Sequence, residues 1–367
     1  MTRLIKIGSV EIGADRPIAI QSMTKTDTRD VSATIGQIAE LREAGCDIVR
    51  VAVADMEAAA ATGKIKAGGG LPLVADIHFD YRLALECVRQ GVDKIRINPG
   101  NIGDRSRVKT VADAAKARGI PIRIGVNGGS LDKELYVKYG GVTAEALVES
   151  AVRQAEELGM CGFYDTVVSI KASDVFLTVE ACRLFDKKNT GIPQHVGITE
   201  TGIPTAGLVK SAIGIFELLR DGVGDTIRVS LTGDPVGEVA AAKTLLQTLG
   251  NYFNQYINNA SGMAARYIGY TGGVELISCP TCGRCRVNMI GLVKEIDRRV
   301  SKIKTYKHIK AAVMGCAVNG PGEAREADVG VACGDGNAVL FKRGIKMYSI
   351  PENAIIDTLI NEINTLL

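Results

Sequence analysis

From about residue 17 to 250 the chain repeats one unit: a short apolar run, a polar loop and a segment with helical spacing. Eight such runs occur: PIAIQS (17–22), CDIVRVAV (46–53), LPLVADI (71–77), DKIRIN (93–98), IPIRIGV (120–126), DTVVSIK (165–171), QHVGIT (194–199) and DTIRVSL (225–231). Between them lie amphipathic stretches such as TIGQIAELREAG (34–45), YRLALECVRQG (81–91) and VKTVADAAKARG (108–119). Most end in Gly, the usual helix stop, directly before the next strand. Eight strands alternating with helices predict a (β/α)8 barrel of the TIM type. An open doubly wound sheet is the structural alternative and normally carries fewer units.

The segment Asn251–Gly273 loses the repeat and closes on Gly-Gly, which marks the passage into a second, smaller α+β domain. The expected division is a barrel over 1–255 and the second domain over 256–367. In the latter, VELIS (274–278) and IKAAVMG (309–315) read as strands around a helix, MIGLVKEIDRRVSKI (289–303). Short strands near 328–332, 338–341 and 345–349 and a terminal amphipathic helix, NAIIDTLINEINTLL (353–367), complete it.

Composition narrows the function classes. A formal net charge of +3 over 367 residues argues against nucleic acid or an anionic membrane surface as partner. The absence of Trp and an aromatic content of 5% leave no base-stacking platform. The N-terminal MTRLIKIGSVEIG alternates like a strand and lacks a signal-peptide core, and no apolar run reaches the ~18–20 residues that span a bilayer. Nine cysteines at spacings unlike a disulfide framework indicate a reducing, cytoplasmic setting. Cys46, Cys87, Cys161 and Cys182 occur singly in helical or helix-terminal contexts and read as small buried hydrophobes.

Barrel strands should consist of Val, Ile and Leu, yet several here carry polar or charged residues at or near their C-terminal ends: Arg50, Asp76, His78, Arg96, Arg123, Lys171, Glu200 and Arg228. A barrel's active site lies at that face, so these residues converge there. Four arginines and a lysine around one mouth suit a strongly anionic ligand, because guanidinium binds phosphate oxygens bidentately and stays charged. A structural ion network with Asp76 and Glu200 is the plainer reading of any single arginine. Asn98 and Asn127 add neutral donors beside Arg96 and Arg123.

A second signature is SCPTCGRC (278–285), with Cys279, Cys282 and Cys285 in C-x2-C-x2-C spacing. A structural zinc site usually has two C-x2-C pairs, whereas this spacing opens a bacterial ferredoxin motif. Spacing alone leaves zinc and iron–sulfur both open. Cys316 follows 31 positions after Cys285 in MGCAVNGPGEAREADVG (314–330), and Cys333 is a further candidate.

CPTCGR together with GCAVNGPGE resembles the paired signature of the 4-hydroxy-3-methylbut-2-enyl diphosphate synthase family of the non-mevalonate isoprenoid pathway. VADIHFDYRLAL, RINPGNIG, IPIRIGVNGGSL, KASDVFL, GITETG, VKSAIG and RVSLTGDPV resemble that family's segments in order, so the likeness covers nearly the whole chain. It implies one [4Fe–4S] cluster held by Cys279, Cys282, Cys316 and Glu323, with Cys285 outside the ligand set. It also implies reductive opening of 2-C-methyl-D-erythritol 2,4-cyclodiphosphate, with electrons from flavodoxin or ferredoxin and a head-to-tail homodimer. On that reading Arg50, Arg96, Arg123 and Lys171 hold the diphosphate. His78, Asn127, Lys210 and Arg228 complete the cradle, Asn319 contacts substrate or cluster, and Glu200 handles a proton. Glu323 would act both as ligand and in catalysis, since a carboxylate yields its place on iron more readily than a thiolate. The competing reading is a barrel enzyme on another phosphorylated substrate with a structural zinc ribbon.

Overall fold

The computed structural model describes residues 1–102, 104–202, 204–256, 266–267, 269–281, 285, 287–315 and 326–367. The chain forms two compact units, Met1–Leu249 with Ile257–Tyr267, and Gly250–Tyr256 with Ile268–Leu367.

In the first unit a short antiparallel hairpin, β1 (Ile5–Ile7) and β2 (Val10–Ile12), precedes eight parallel strands. These are β3 (Ala19–Met23), β4 (Ile48–Val53), β5 (Leu73–Ile77), β6 (Lys94–Ile97), β7 (Ile122–Asn127), β8 (Thr166–Lys171), β9 (His195–Val196) and β10 (Thr226–Ile227). Their order is β8-β7-β6-β5-β4-β3-β10-β9, and a parallel bridge from Val168 to Gln194 joins the two ends of the sheet. The eight apolar runs of the sequence thus form a (β/α)8 barrel. Its strands are buried on both faces, as in β5 and β6, where every residue is buried. The helices between them start on aspartate caps: Asp30, Asp55, Asp80, Asp104 and Asp174 each accept a backbone N–H of the first turn. Each cap contributes roughly 0.5–2 kcal/mol. Gly45, Gly70 and Gly91 end theirs in the left-handed conformation.

The alternation in MTRLIKIGSVEIG belongs to the hairpin, which closes the N-terminal end of the barrel. Ile5, Ile7 and Ile12 pack there against Ala19, Ile48, Val74 and Val167 from the strands. The last helix, Pro235–Tyr256, continues through the polar stretch after Asn251. Leu246, Leu249 and Phe253 keep its apolar stripe in phase and buried. Beyond it, Arg266 and Tyr267 lie back on the first unit. Arg266 donates to the Gly222 carbonyl (2.6 Å), the Gly224 carbonyl and Asp225 (3.1 Å).

The second unit is a five-stranded sheet, β11 (Gly273–Ser278), β12 (His308–Met314), β13 (Val329–Cys333), β14 (Asn337–Lys342) and β15 (Ile345–Pro351), in that order. The first three strands are parallel and the last two antiparallel. Helices Met289–Val300 and Ile355–Asn364 bury Ile296, Val300, Leu359 and Ile363 against Val313, Val331 and Leu340. Among the described residues no helix is long and apolar enough to cross a membrane.

Candidate functional site

Strand register assembles the barrel site. Arg50 lies opposite Met23, Asp76 opposite Arg96, Arg96 opposite Arg123, and Asn127 opposite Lys171. Side chains at such positions share one face of the sheet, here the barrel interior. Residues 20 to 44 positions apart are thereby neighbours without any loop having to place them.

Asp76 is the charge partner of this group. It accepts from Arg96 at 3.2 Å and lies 3.9 Å from Arg50. Burial opposes its ionisation, but Arg50, Arg96 and Arg123 outweigh burial and hold its carboxyl well below the usual carboxylate range. Arg96 also donates to His78 Nε2 at 2.8 Å and to the Gly125 carbonyl at 3.3 Å. His78 Nε2 also lies 3.6 Å from Asp76 Oδ2, so the imidazole sits between the guanidinium and the carboxylate. Gly125 is required here because a Cβ at that position would overlap the Arg96 guanidinium.

Arg50 and Arg228 both turn toward the thioether of Met23, at 2.9–3.0 Å and 3.5 Å. Thioether sulfur is a weak acceptor, so these guanidiniums keep most of their capacity for an anion. Burial, partly offset by Asp76, pushes the pKa of Arg50 down to about 10. Arg228 is compensated by Glu238, a buried carboxylate at 3.2 Å that also accepts from Ser22. Arg123 is 1% exposed, and its Nε and Nη1 have no hydrogen-bond partner among the described residues. Burial, then Arg50 and Arg96, disfavour its charge. Arginine does not release its proton in proteins, so that penalty persists as unrelieved positive charge. Lys171 is 8% exposed, and burial together with Arg123, Arg50 and Arg228 pushes its ammonium well below the ordinary lysine range.

The network reading of these cations therefore holds for Arg96 with Asp76 and for Arg228 with Glu238. Glu200 plays no part in it. It is exposed, in left-handed backbone (φ 53°), and lines a cleft of about 500 Å³ with Asn127, Ser130, Asp174 and Thr199. Lys210 is exposed on the helix Pro204–Arg220 and makes no hydrogen bond or ion pair to the arginine group among the described residues. Asn98 is buried just past β6.

Several interior residues escaped the sequence reading. Glu238 and the wholly buried Lys94 and His195 had no C-terminal strand-end position to mark them, and Met23, which ends β3, carries no charge. The signal for Lys94 and His195 was their parity with Arg96 and Gly197 in runs already read as strands. Glu238 gave none, since it pairs from a helix ten residues beyond Arg228.

In the second unit Cys279 follows the end of β11, Gly315 follows β12, and Cys333 ends β13. Two of these three adjacent parallel strands thus finish at a cysteine or one residue before it, and the strand between them ends beside Gly315. A Cβ at Gly315 would lie 2.8 Å from Cys285 Sγ and 3.7 Å from Cys279 Sγ, so glycine leaves room for both thiols. Cys285 donates its S–H to the Val287 carbonyl at 3.4 Å. Cys282, Cys316, Asn319 and Glu323 lie outside the described residues. Among the described residues no group of three or more His, Cys, Asp or Glu is arranged around a metal position. The seven described cysteines are free thiols, and soft sulfur donors at strand ends fit an iron–sulfur group. Cys46, Cys87 and Cys182 are buried, as expected, and burial pushes each thiol up to about 12. Cys161 departs from that expectation: it is half-buried, because it caps the end of the helix Ala144–Met160.

Comparison with known proteins places this geometry in a family. The GcpE TIM-barrel domain matches residues 2–243 and the GcpE C-terminal domain matches residues 275–365. A 4-hydroxy-3-methylbut-2-en-1-yl diphosphate synthase (flavodoxin) of Ruminiclostridium cellulolyticum is 52% identical over 365 residues, covering 100% of this chain and 98% of that one. A protein of the same description from Caldanaerobacter subterraneus is 53% identical over 367 residues, covering 100% and 97%. Among solved structures, the dihydropteroate synthase of Stenotrophomonas maltophilia covers 70% of this chain and 99% of its own at TM-score 0.50 and 12% identity, a likeness of barrel fold alone. Through both of its domains the chain belongs to the GcpE family, with relatives at about half identity described as 4-hydroxy-3-methylbut-2-en-1-yl diphosphate synthases.

Proposed function

We propose that the chain converts 2-C-methyl-D-erythritol 2,4-cyclodiphosphate to 4-hydroxy-3-methylbut-2-enyl diphosphate by two-electron reductive ring opening with loss of water. The observation that carries this reading is the excess of guanidinium facing the barrel interior, with the Nε and Nη1 of buried Arg123 lacking a hydrogen-bond partner among the described residues. Such a site favours a ligand with several negative charges, and a diphosphate supplies them in the planar O–P–O edges that guanidinium forks match. Arg50, Arg96, Arg123 and Lys171 bind and orient it. His78, Asn127, Lys210 and Arg228 complete the cradle, and Asn319 hydrogen-bonds substrate or cluster.

Cys279, Cys282, Cys316 and Glu323 would hold one [4Fe–4S] cluster, which supplies single electrons and a Lewis-acidic iron. Glu200 holds the proton that leaves with water. Its left-handed backbone, unusual for a non-glycine residue, fits a strained functional position. The relatives' names specify flavodoxin, and we take flavodoxin as the electron donor here, with ferredoxin as the alternative. The free thiols fit a reducing cytoplasmic compartment.

The same reading includes a head-to-tail homodimer with each barrel served by the partner's cysteine domain. Mixing Arg123→Leu chains with Cys282→Ser chains then restores about a quarter of the wild-type activity, since half the dimers regain one of two sites. No recovery on mixing counts against the dimer. The central test is anaerobic turnover of the cyclodiphosphate by cluster-loaded protein with reduced flavodoxin. Formation of the linear diphosphate is expected. Zinc without sulfide in anaerobically purified protein, and no turnover, would overturn the reading in favour of a zinc ribbon.

A further inference from the structure

Below the arginines the barrel contains a second layer of polar groups that the proposed reaction does not use. Lys94 opens β6, two residues before Arg96, so it projects into the interior one layer closer to the N-terminal end. It is 0% exposed, and its Nζ has no hydrogen-bond partner among the described residues. Its register partner Val74 belongs to the apolar floor that the hairpin residues Ile5, Ile7 and Ile12 seal from beneath. The amine therefore cannot extend to solvent at that end, as surface lysines do.

The surroundings of this amine are cationic. Strand β4 contributes Arg50, β6 Arg96, β7 Arg123, β8 Lys171, and Arg228 follows β10. Gln21 faces inward from β3, with both side-chain polar atoms unpartnered among the described residues. His195 faces inward from β9; its Nδ1 meets the Thr226 hydroxyl at 2.7 Å and its Nε2 is unpartnered among the described residues. The carboxylates among these elements are Asp76 from β5, engaged with Arg96, and Glu238, engaged with Arg228. The charges that bear on Lys94, after burial itself, are those of Arg123 and Arg50, and all act to remove its proton. Arg123 lies between this layer and the mouth, and its Nε and Nη1 have no hydrogen-bond partner among the described residues.

We propose that Lys94 forms an inner tier of the anion site and takes up a proton from solution when a diphosphate occupies the guanidiniums above it. The inference rests on the diphosphate reading. Several negative charges arriving at Arg123 and Arg50 reverse the local field that keeps the amine uncharged. The resulting ammonium then holds the ligand's charge from below, without touching it. Lys94 is a positioning residue by this account. Ligand affinity at the mouth becomes linked to proton uptake in the interior, by the same thermodynamic coupling that links folding to protonation.

The experiment is calorimetric titration of inorganic pyrophosphate into full-length, cluster-loaded, anaerobic protein in two buffers of different ionisation enthalpy. Wild-type protein is expected to take up protons from solution on binding, one at Lys171 at the mouth and one at Lys94 beneath it. Lys94→Met, which keeps the side-chain length and removes the amine, takes up about one proton fewer. Its melting temperature without pyrophosphate stays equal or rises, because an unpartnered buried amine is removed. In the unsubstituted chain, lysine-selective 15N NMR reads the same event as two buried amines changing from NH2 to NH3+ when pyrophosphate is added. Equal proton uptake by the two proteins, or one amine changing instead of two, overturns the role of Lys94 while leaving the diphosphate site standing. Absence of pyrophosphate binding to wild-type protein overturns both.

Discussion

The barrel mouth and the cysteine strand ends occupy equivalent places in two different sheets, the C-terminal ends of parallel strands, and they are made by opposite means. In the barrel, hard cationic groups sit on the strands themselves, and register fixes them: Asp76 beside Arg96, Arg96 beside Arg123. In the second unit the strands stop at the site, with Cys279 just past β11 and Cys333 closing β13. The first arrangement gives a rigid field that exists before any ligand arrives. The second gives soft donors with room between them, secured by Gly315. A field suits a ligand that must be held in one pose, and soft donors suit a group that must be bound by covalent ligation.

Two substitutions separate these roles most sharply. Cys279→Ser should abolish both iron incorporation and turnover, while pyrophosphate binding by the barrel persists within a few fold. Arg123→Leu should do the reverse: full iron and sulfide content, with kcat/KM lowered about 10²–10³-fold, the usual range for loss of a buried charge that pairs with a ligand. Metal analysis, calorimetry and anaerobic kinetics on the two proteins measure this directly. If either change removed both properties, the division of labour would fail.

The next largest effect is on stability. Asp76→Asn leaves Arg96 and Arg50 without their carboxylate and should cost about 3–5 kcal/mol in urea unfolding at pH 7. The pH dependence follows from the depressed pKa of Asp76. Its stabilisation is complete above the unfolded value of about 3.9 and is lost as pH falls through the lower folded value. The gap between the two proteins should therefore be full at pH 7 and shrink progressively below about pH 4. A gap that is constant with pH would mean that Asp76 acts by shape and not by charge.

How legible this was in the sequence differs between the two regions for the same reason. The barrel was readable because its eight apolar runs keep their spacing, and charges inside or at the ends of runs, such as Arg123, Arg96 and Lys171, violate the pattern of a buried parallel strand. Lys94 violates it equally, but at the start of its run, where an exposed residue is the ordinary expectation. Its burial depends on the hairpin β1–β2 closing the floor, which is a tertiary fact. The role of Glu238 was hidden because its partner Arg228 lies on another element. In the second unit the strands and both helices were legible from alternation and helical spacing. The ligand set was not, because C-x2-C-x2-C spacing fits zinc and iron–sulfur alike.

A smaller perturbation tests whether the barrel's field depends on fine placement. Gly125→Ala inserts a methyl group where the Arg96 guanidinium passes, and forcing that side chain aside should cost about 1–3 kcal/mol. Because Arg96 also orients His78, KM should rise more than kcat falls. Equal changes in both would indicate general loosening of the barrel.

The smallest expected effect concerns the cysteine nearest to the proposed ligands. Cys285 Sγ approaches the same glycine as Cys279, so proximity alone would qualify it as a ligand. The family likeness places it outside the ligand set, and its Sγ lies 3.4 Å from the Val287 carbonyl as a hydrogen-bond donor. Serine keeps a donor at that position and is slightly smaller, so Cys285→Ser should preserve the contact and the space beside Gly315. Iron and sulfide stoichiometry, and the electron paramagnetic resonance signal of the reduced protein, should match wild type. Cys316→Ser in parallel should lose the iron. Were the two outcomes exchanged, Cys285 would be the third thiolate and its bond to Val287 a feature of the metal-free chain alone.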